Sequence, residues 1–127
     1  MIGRMRAYVV AVHPGAPTIV DISVADDPLR GEWIGPSPDA GELVDVELDI
    51  DAVLGWDDTI ALEGAEATLR EGPRLYGRVE LREQDLLSVR VADGLLLIQV
   101  DDASIDLPLG TPVVVVAECL KVYPTNL

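Results

Sequence analysis

The sequence predicts an all-β fold in a single domain. Three observations favour this class. Apolar and polar residues repeatedly alternate with a period of two, valine-rich runs are punctuated by glycine and proline, and no stretch of twelve residues carries apolar side chains at helical spacing. A chain of 127 residues, spanning 1–127, has the length of one domain and needs neither a disulfide nor a metal to fold. The core must be aliphatic, because the chain contains no phenylalanine.

The N-terminal segment predicts a β-hairpin. Arg6–His13 and Thr18–Val24 are rich in β-branched residues, and the intervening sequence HPGAP is typical of a turn. A register is fixed by the pairing that keeps apolar side chains on one face of the sheet. That pairing sets Val10 opposite Val20 and places Tyr8 on the same inward face.

The next strand shows a strict alternation. Residues 44–51 read VDVELDID, so a strand places four aliphatic side chains on one face and four carboxylates on the other. Successive carboxylates on that face are about 7 Å apart, because a strand rises about 3.4 Å per residue. We term this face the acidic row; it consists of Asp45, Glu47, Asp49 and Asp51. Residues 52–73 carry no clear pattern, although the sequence DAVLGW fits one short helical turn.

Residues 75–101 predict a three-stranded meander. A three-residue loop at residues 83–85 keeps the apolar side chains of the first two strands on one face, and Asp93-Gly94 is a strong signal for a two-residue hairpin loop. The expected facing pairs are Val79 with Val89, Leu81 with Leu87 and, across the second loop, Val89 with Ile98.

The sequence TPVVVVAECLKVY, residues 111–123, predicts one long strand. Four consecutive valines are typical of a strand that is covered on both faces. Cys119 is the only cysteine, so it forms no internal disulfide, and its apolar neighbours predict a small buried side chain. In all, about seven or eight strands are expected in a small partly closed barrel, with a β-sandwich as the alternative.

The strand rhythm from about residue 43 to the end resembles the oligonucleotide/oligosaccharide-binding (OB) barrel. The likeness rests on GELVDVELDI as a long first strand, the meander of residues 75–101, and LGTPVVVVAECLKVY as a return strand. It implies a small closed or partly closed barrel. It implies a fold only, and no binding residues are carried over from it.

Negative charge is concentrated in one third of the chain. The formal net charge is −14, and residues 21–66 hold fourteen acidic residues against one basic residue, Arg30. A field of this sign repels nucleic acid phosphates and anionic membranes and attracts basic proteins. We therefore expect no nucleic acid partner and no membrane partner. The N-terminal apolar run AYVVAV is too short for a signal peptide or a membrane span, which predicts a cytoplasmic protein.

The residues that carry most enzyme chemistry are scarce. His13 is the only histidine, and no nucleophile or orienting partner lies at a recognisable spacing from it. One cysteine and one histidine are too few for a zinc site. Asp49 and Asp51 begin like the calcium-binding loop of an EF-hand, but Leu54 stands where that loop requires glycine. We expect no enzyme activity, no cofactor and no metal.

The acidic row admits three interpretations: a solvated face that aids solubility, a docking face for a basic protein, or a cation site. The specific functional prediction is a non-enzymatic acidic protein-binding module of the immunity or inhibitor type. Its contact residues would be the acidic row together with Trp33 as an aromatic anchor. The alternatives are a small-molecule-binding or enzymatic barrel, with a pocket lined by Trp33 and Trp56, and a structural subunit of a larger assembly. For both tryptophans, a plug at a barrel end is the favoured interpretation.

Overall fold

The computed structural model describes residues 5–102 and 107–125, and in these ranges the chain is all-β as predicted. The first four strands are β1 (Met5–His13), β2 (Ile19–Val24), β3 (Asp27–Trp33) and β4 (Leu43–Ile50). Two short strands, β5 (Val53–Leu54) and β6 (Ile60–Leu62), precede a 3-10 turn at Glu66–Thr68. The remaining strands are β7 (Arg74–Glu83), β8 (Leu86–Val91), β9 (Gly94–Val100), β10 (Pro112–Val116) and β11 (Leu120–Pro124).

Strands β1, β2, β3, β11 and β4 form a closed barrel in that order. β1, β2 and β3 pair in sequence, and β4 returns to lie antiparallel beside β1, which is a Greek-key arrangement. β11 closes the barrel because it runs antiparallel to β4 and parallel to β3, with Lys121 opposite Glu32. The predicted β-barrel is therefore confirmed.

The other six strands form a second sheet in the order β5-β9-β8-β7-β10-β6. Strands β7, β8 and β9 are the predicted meander, and β10 returns beside β7, so this sheet contains a second Greek key. β5 runs parallel to β9, with Leu54 opposite Val100, while β6 pairs with β10 at the other edge.

The barrel and the second sheet repeat one plan. The β2–β3 hairpin turns at Ala25-Asp26, and the β8–β9 hairpin turns at Ala92-Asp93. The third strand of each Greek key then pairs in parallel with an added strand, β11 in the barrel and β5 in the second sheet. β4 belongs to the barrel, and the next strand along the chain, β5, joins the second sheet. β10 belongs to the second sheet, and the next strand, β11, joins the barrel. Each sheet therefore contains a strand that directly follows a strand of the other sheet. We term this arrangement the strand exchange.

One continuous apolar core contains side chains from both sheets. Val113 and Val115 of β10 belong to this core, whereas the two valines that alternate with them face the opposite way into a small second cluster. That cluster consists of Ala61, Leu69, Val114 and Val116. The four valines are thus covered on both faces, as predicted.

The strands of the barrel differ from those expected. The expected barrel began near residue 43, whereas the observed one uses β1 to β4 and β11. The described residues form eleven strands, because short segments pair at the sheet edges and because residues 111–123 are divided in two. The division falls between Val116 and Leu120, with Cys119 at φ +52° in the turn. Cys119 is exposed there, so the prediction of a buried thiol was wrong.

A β-bulge in β1 overturns the predicted N-terminal register. Val12, not Val10, lies opposite Val20, because the register shifts around position 10. The extra residue reverses the alternation before it, so Val10 and Tyr8 point outward and are 53% and 47% exposed. The inward positions belong instead to Met5, Ala7 and Val9.

A second bulge lies in β7. Val79 faces Val89 as predicted, but the register then shifts, and Leu81 lies opposite Ser88 instead of Leu87. Leu81 is therefore turned outward and is 52% exposed. The expected pairing of Leu81 with Leu87 was wrong because the bulge was not visible in the alternation.

Both loops of the meander also differ from the prediction. The β7–β8 loop contains only Gln84 and Asp85, with Gln84 at φ +55°. The β8–β9 loop begins one residue earlier than expected, which sets Leu96 rather than Ile98 opposite Val89. A pairing shift of two residues preserves which face each side chain occupies. The inward faces of β8 and β9 are consequently as predicted, with Leu87, Val89, Val91, Leu96, Ile98 and Val100 all buried.

The segment 52–73 contains little regular structure. The sequence DAVLGW forms β5 and an isolated bridge between Trp56 and Ile60, not a helical turn. Within the described ranges, no helix has the length and apolar character needed to cross a bilayer.

Candidate functional site

Asp45, Glu47 and Asp49 of the acidic row lie on the outer face of β4, as the alternation predicts, and Asp51 directly follows the strand. Asp45 and Glu47 are half-buried, and Asp49 and Asp51 are exposed. The strand is held along both edges, because β1 pairs with its first half and β11 with its second half. The side chains between the carboxylates face the core and are all buried, namely Val44, Val46, Leu48 and Ile50.

The two ends of the acidic row are paired with cations. Arg6 Nε lies 3.3 Å from Asp45 Oδ1, and Lys121 Nζ lies 3.2 Å from Asp51 Oδ2. The hydrogen bond to the Asp51 carboxylate raises the pKa of Lys121. Exposed pairs of this kind contribute little to stability because solvent screens them, so their main effect here is to neutralise charge locally.

The centre of the acidic row is not neutralised in this way and borders a groove. Glu47 and Asp49 form no ion pair with any residue in the described ranges. Asp49 and Asp51 line a groove of about 340 Å³, at the point where the chain crosses from β4 to β5. Leu86 of β8 and Leu97 of β9 line the same groove.

Leu97 connects this groove to two further depressions. One, of about 300 Å³, is shared with Glu47 and Asp49, and the other, of about 200 Å³, is shared with Leu81 and Leu86. Leu81, Leu86 and Leu97, which we term the leucine patch, are 52%, 42% and 45% exposed. The leucine patch and the acidic row therefore form one continuous surface, termed the β4–β9 surface.

The sequence contains a signal for part of the leucine patch. Residues 95–97 are three consecutive leucines, and a strand must direct at least one of them outward. Leu81 gives no such signal, because the bulge in β7 decides its direction. The contact of Leu97 with the acidic row depends on the approach of β9 to β4, which no local pattern predicts.

Trp33 is not part of the β4–β9 surface. It is only 5% exposed, and its indole Nε1 donates a hydrogen bond to the carbonyl oxygen of Pro36 over 2.7 Å. This burial supports the plug interpretation, and the ring is not available as a partner anchor. Trp56 is half-buried against the core, and its Nε1 has no hydrogen-bond partner among the described residues.

His13 belongs to a charged network on the barrel. His13 Nε2 lies 2.8 Å from Asp21 Oδ2, and Arg30 Nε donates to Asp21 Oδ1 over 2.7 Å. These hydrogen bonds, the one from Arg30 first, lower the pKa of Asp21 from 3.8 to about 2. The network is partly solvent-exposed, and the described hydrogen bonds bring no nucleophile to His13. The three residues lie on β1, β2 and β3, so the network joins these strands by electrostatic contacts. We term His13, Asp21 and Arg30 the clamp.

We expect the clamp to contribute an acid-sensitive part of the stability. Because the folded-state pKa of Asp21 is depressed, its contribution is present above about pH 4 and is lost as the pH falls toward about 2. At neutral pH, Asp21→Asn should lower the unfolding free energy by about 1 kcal/mol or less, since the pair is largely solvated. The deficit should vanish as the pH falls below about 2, where Asp21 is protonated in the folded protein as well. Arg30→Gln should reproduce most of this profile in denaturant titrations, and a pH-independent deficit would contradict the assignment.

The described part of the chain also lacks a candidate metal site. No three His, Cys, Asp or Glu side chains converge there in a way that could hold a metal ion. No protein-family model, curated protein or solved structure matches the chain. Function must therefore be inferred from the surface of the protein itself.

Proposed function

We propose that this protein is a non-enzymatic acidic module that binds a basic protein through the acidic row, in the manner of an immunity or inhibitor protein. The observation that carries the proposal is the position of the row on the outer face of a barrel strand that is paired along both edges. Its central carboxylates, Glu47 and Asp49, have no ion-pair partner among the described residues. A negative surface of this kind steers a cationic partner toward it and accelerates association.

The use of cations within the chain supports the same proposal. Most basic residues in the described ranges are engaged in internal ion pairs, and the closest of these join arginine to a carboxylate at 2.7–2.8 Å. The cations in such pairs are Arg6, Arg30, Arg70, Arg90 and Lys121. Four of these cations pair with carboxylates of residues 21–66, and that segment holds fourteen acidic residues, so these pairs leave most of its carboxylates without a cation.

We also infer that the barrel is of the OB type. Its support is a five-stranded closed barrel in which β4, β1, β2 and β3 form a Greek key and β11 completes the closure. The OB type would not imply nucleic acid binding in this chain. Barrels that bind single strands combine a positively charged groove with stacking aromatics, whereas this chain has a net charge of −14 and is 4% aromatic.

Replacing Glu47 with Gln and Asp49 with Asn should weaken capture of a basic protein without harming the fold. The unfolding free energy should stay constant or rise by a few tenths of a kcal/mol, because repulsion falls while both side chains stay solvated. In pull-downs from a bacterial lysate, the double variant should retain less of the basic protein than the wild type. The difference should shrink as salt is added, because salt screens exposed charges.

The matched control removes the same charge from another part of the surface. Glu63→Gln with Glu71→Gln changes two exposed carboxylates that lie outside β4, and it should leave capture unchanged. The proposal would be contradicted if the wild type retained no basic protein at any salt concentration, or if both double variants behaved alike. Salt-sensitive binding of single-stranded DNA by the wild type would contradict the exclusion of nucleic acid.

A further inference from the structure

We infer that the β4–β9 surface takes a partner segment in which lysine or arginine side chains are interspersed with aliphatic side chains. The inference rests on the proposed function and specifies the chemistry of the partner. Its basis is the leucine patch, which lies directly beside the unneutralised centre of the acidic row.

The fold does not require a leucine at position 97 of the leucine patch. Leu97 is opposite Ser88 in the fourth facing pair from the β8–β9 loop, and the same pair in the barrel is Arg30 opposite Asp21. The barrel fills this position with an ion pair at 2.7 Å, whereas the second sheet leaves a leucine side chain 45% exposed. The comparison shows that the shared plan accepts a charged side chain at this position, so the exposed leucine is a specific property of this surface.

The arrangement of charge decides which partner fits. Leu97 lines the same depressions as Glu47 and Asp49, so a segment that covers the leucine brings its neighbouring side chains within reach of both carboxylates. A purely cationic segment would leave the leucine patch in water, and a purely apolar one would bury carboxylates without partners, which is costly. A second copy of this chain carries the same net charge of −14, so repulsion between like charges would oppose its docking.

Three labelled nine-residue peptides separate these requirements. One contains three Lys-Leu-Ser repeats, the second three Lys-Ser-Ser repeats with the same charge, and the third three Glu-Leu-Ser repeats. Binding to the full-length protein is measured by fluorescence anisotropy at low ionic strength. We expect the Lys-Leu-Ser peptide to bind about tenfold more tightly than the Lys-Ser-Ser peptide, and the Glu-Leu-Ser peptide not to bind.

A pair of leucine variants locates the apolar contact. Leu97→Ser should raise the Kd of the Lys-Leu-Ser peptide about fivefold and leave the Kd of the Lys-Ser-Ser peptide unchanged. Leu62→Ser is the matched control, because Leu62 is 43% exposed and lies on β6 at the opposite edge of the sheet from β5. It should change neither Kd. Both side chains are partly solvated, so folding is retained, and the wild-type comparison of peptides does not depend on either variant.

The outcomes distinguish this inference from the proposed function. Equal binding of the Lys-Leu-Ser and Lys-Ser-Ser peptides would overturn the aliphatic requirement and leave the acidic docking face standing. Failure of both cationic peptides to bind would overturn the docking face as well. Strong binding of the Glu-Leu-Ser peptide would overturn the charge requirement. A wild type that sediments as a dimer, with Leu97→Ser a monomer, would assign the surface to a second copy instead.

Discussion

Replacing Gly77 with alanine should lower the unfolding free energy by about 3 kcal/mol, because β7 has no room for a side chain at this position. A Cβ at position 77 would lie 2.5 Å from the carbonyl oxygen of Arg90 and 2.5 Å from Cγ1 of Val89. The obstacle includes backbone of the neighbouring strand β8, so a side-chain rotation alone cannot relieve it. Relief requires β7 and β8 to separate at the centre of the second sheet. Chemical denaturation at constant pH measures the loss directly.

Gly55→Ala is the control for this prediction. A Cβ at Gly55 would meet only ordinary contacts, the nearest being a carboxylate oxygen of Asp101 at 3.4 Å. This variant should change the unfolding free energy by less than about 1 kcal/mol. If Gly77→Ala proved as stable as Gly55→Ala, the close approach of β7 to β8 would be refuted.

Leu54→Ala should cost about 3 kcal/mol, a large loss for a residue on a strand of only two residues. Leu54 is 1% exposed, belongs to the main core and lies opposite Val100 in the parallel pairing of β5 with β9. Truncation would remove buried methyl groups and leave a cavity at the edge of the second sheet. The measured quantity is again the unfolding free energy.

Val53→Ala tests the same strand on its other face. Val53 is 56% exposed, so its truncation should cost only a few tenths of a kcal/mol. Similar losses for the two variants would mean that β5 does not dock its leucine in the core. Loss of stability in Leu54→Ala alone would support the placement of β5 beside β9.

The sequence predicts the faces of most strands well and their pairing partners less well. Strict alternation identifies the inward side chains of β4. The inward side chains of β8 and β9 are also predicted correctly, although the loop between these strands begins one residue earlier than expected. The two bulges make this prediction fail for part of β1 and β7. An extra residue near Val10 or before Leu81 reverses the side-chain direction, and the sequence of apolar residues does not reveal it. Residues 111–123 were predicted to form one strand, but the chain turns after the valine run. Cys119 adopts a positive φ in that turn, and cysteine is a residue type that seldom marks turns.

The candidate site was predictable in its charged half and in the outward direction of Leu97, but not as one surface. The acidic row follows from local alternation, which fixes side-chain direction within a strand. The position of Leu97 beside the acidic row follows from the approach of β9 to β4, which are more than forty residues apart in the chain. Trp33 was expected either as a plug at a barrel end or as a partner contact, and its 5% exposure favours the plug.

The strand exchange makes the two halves of the chain inseparable. A fragment that ends after β6 would hold four barrel strands and the two edge strands of a sheet it lacks, and the remaining fragment would hold the other four strands of that sheet and β11 of the barrel. Neither fragment could complete its own sheet, so opening of one sheet withdraws a strand from the other and the molecule should unfold in a single transition. Two half-length chains that trade their terminal strands would reach a similar topology, which makes this chain the covalent counterpart of a domain-swapped dimer.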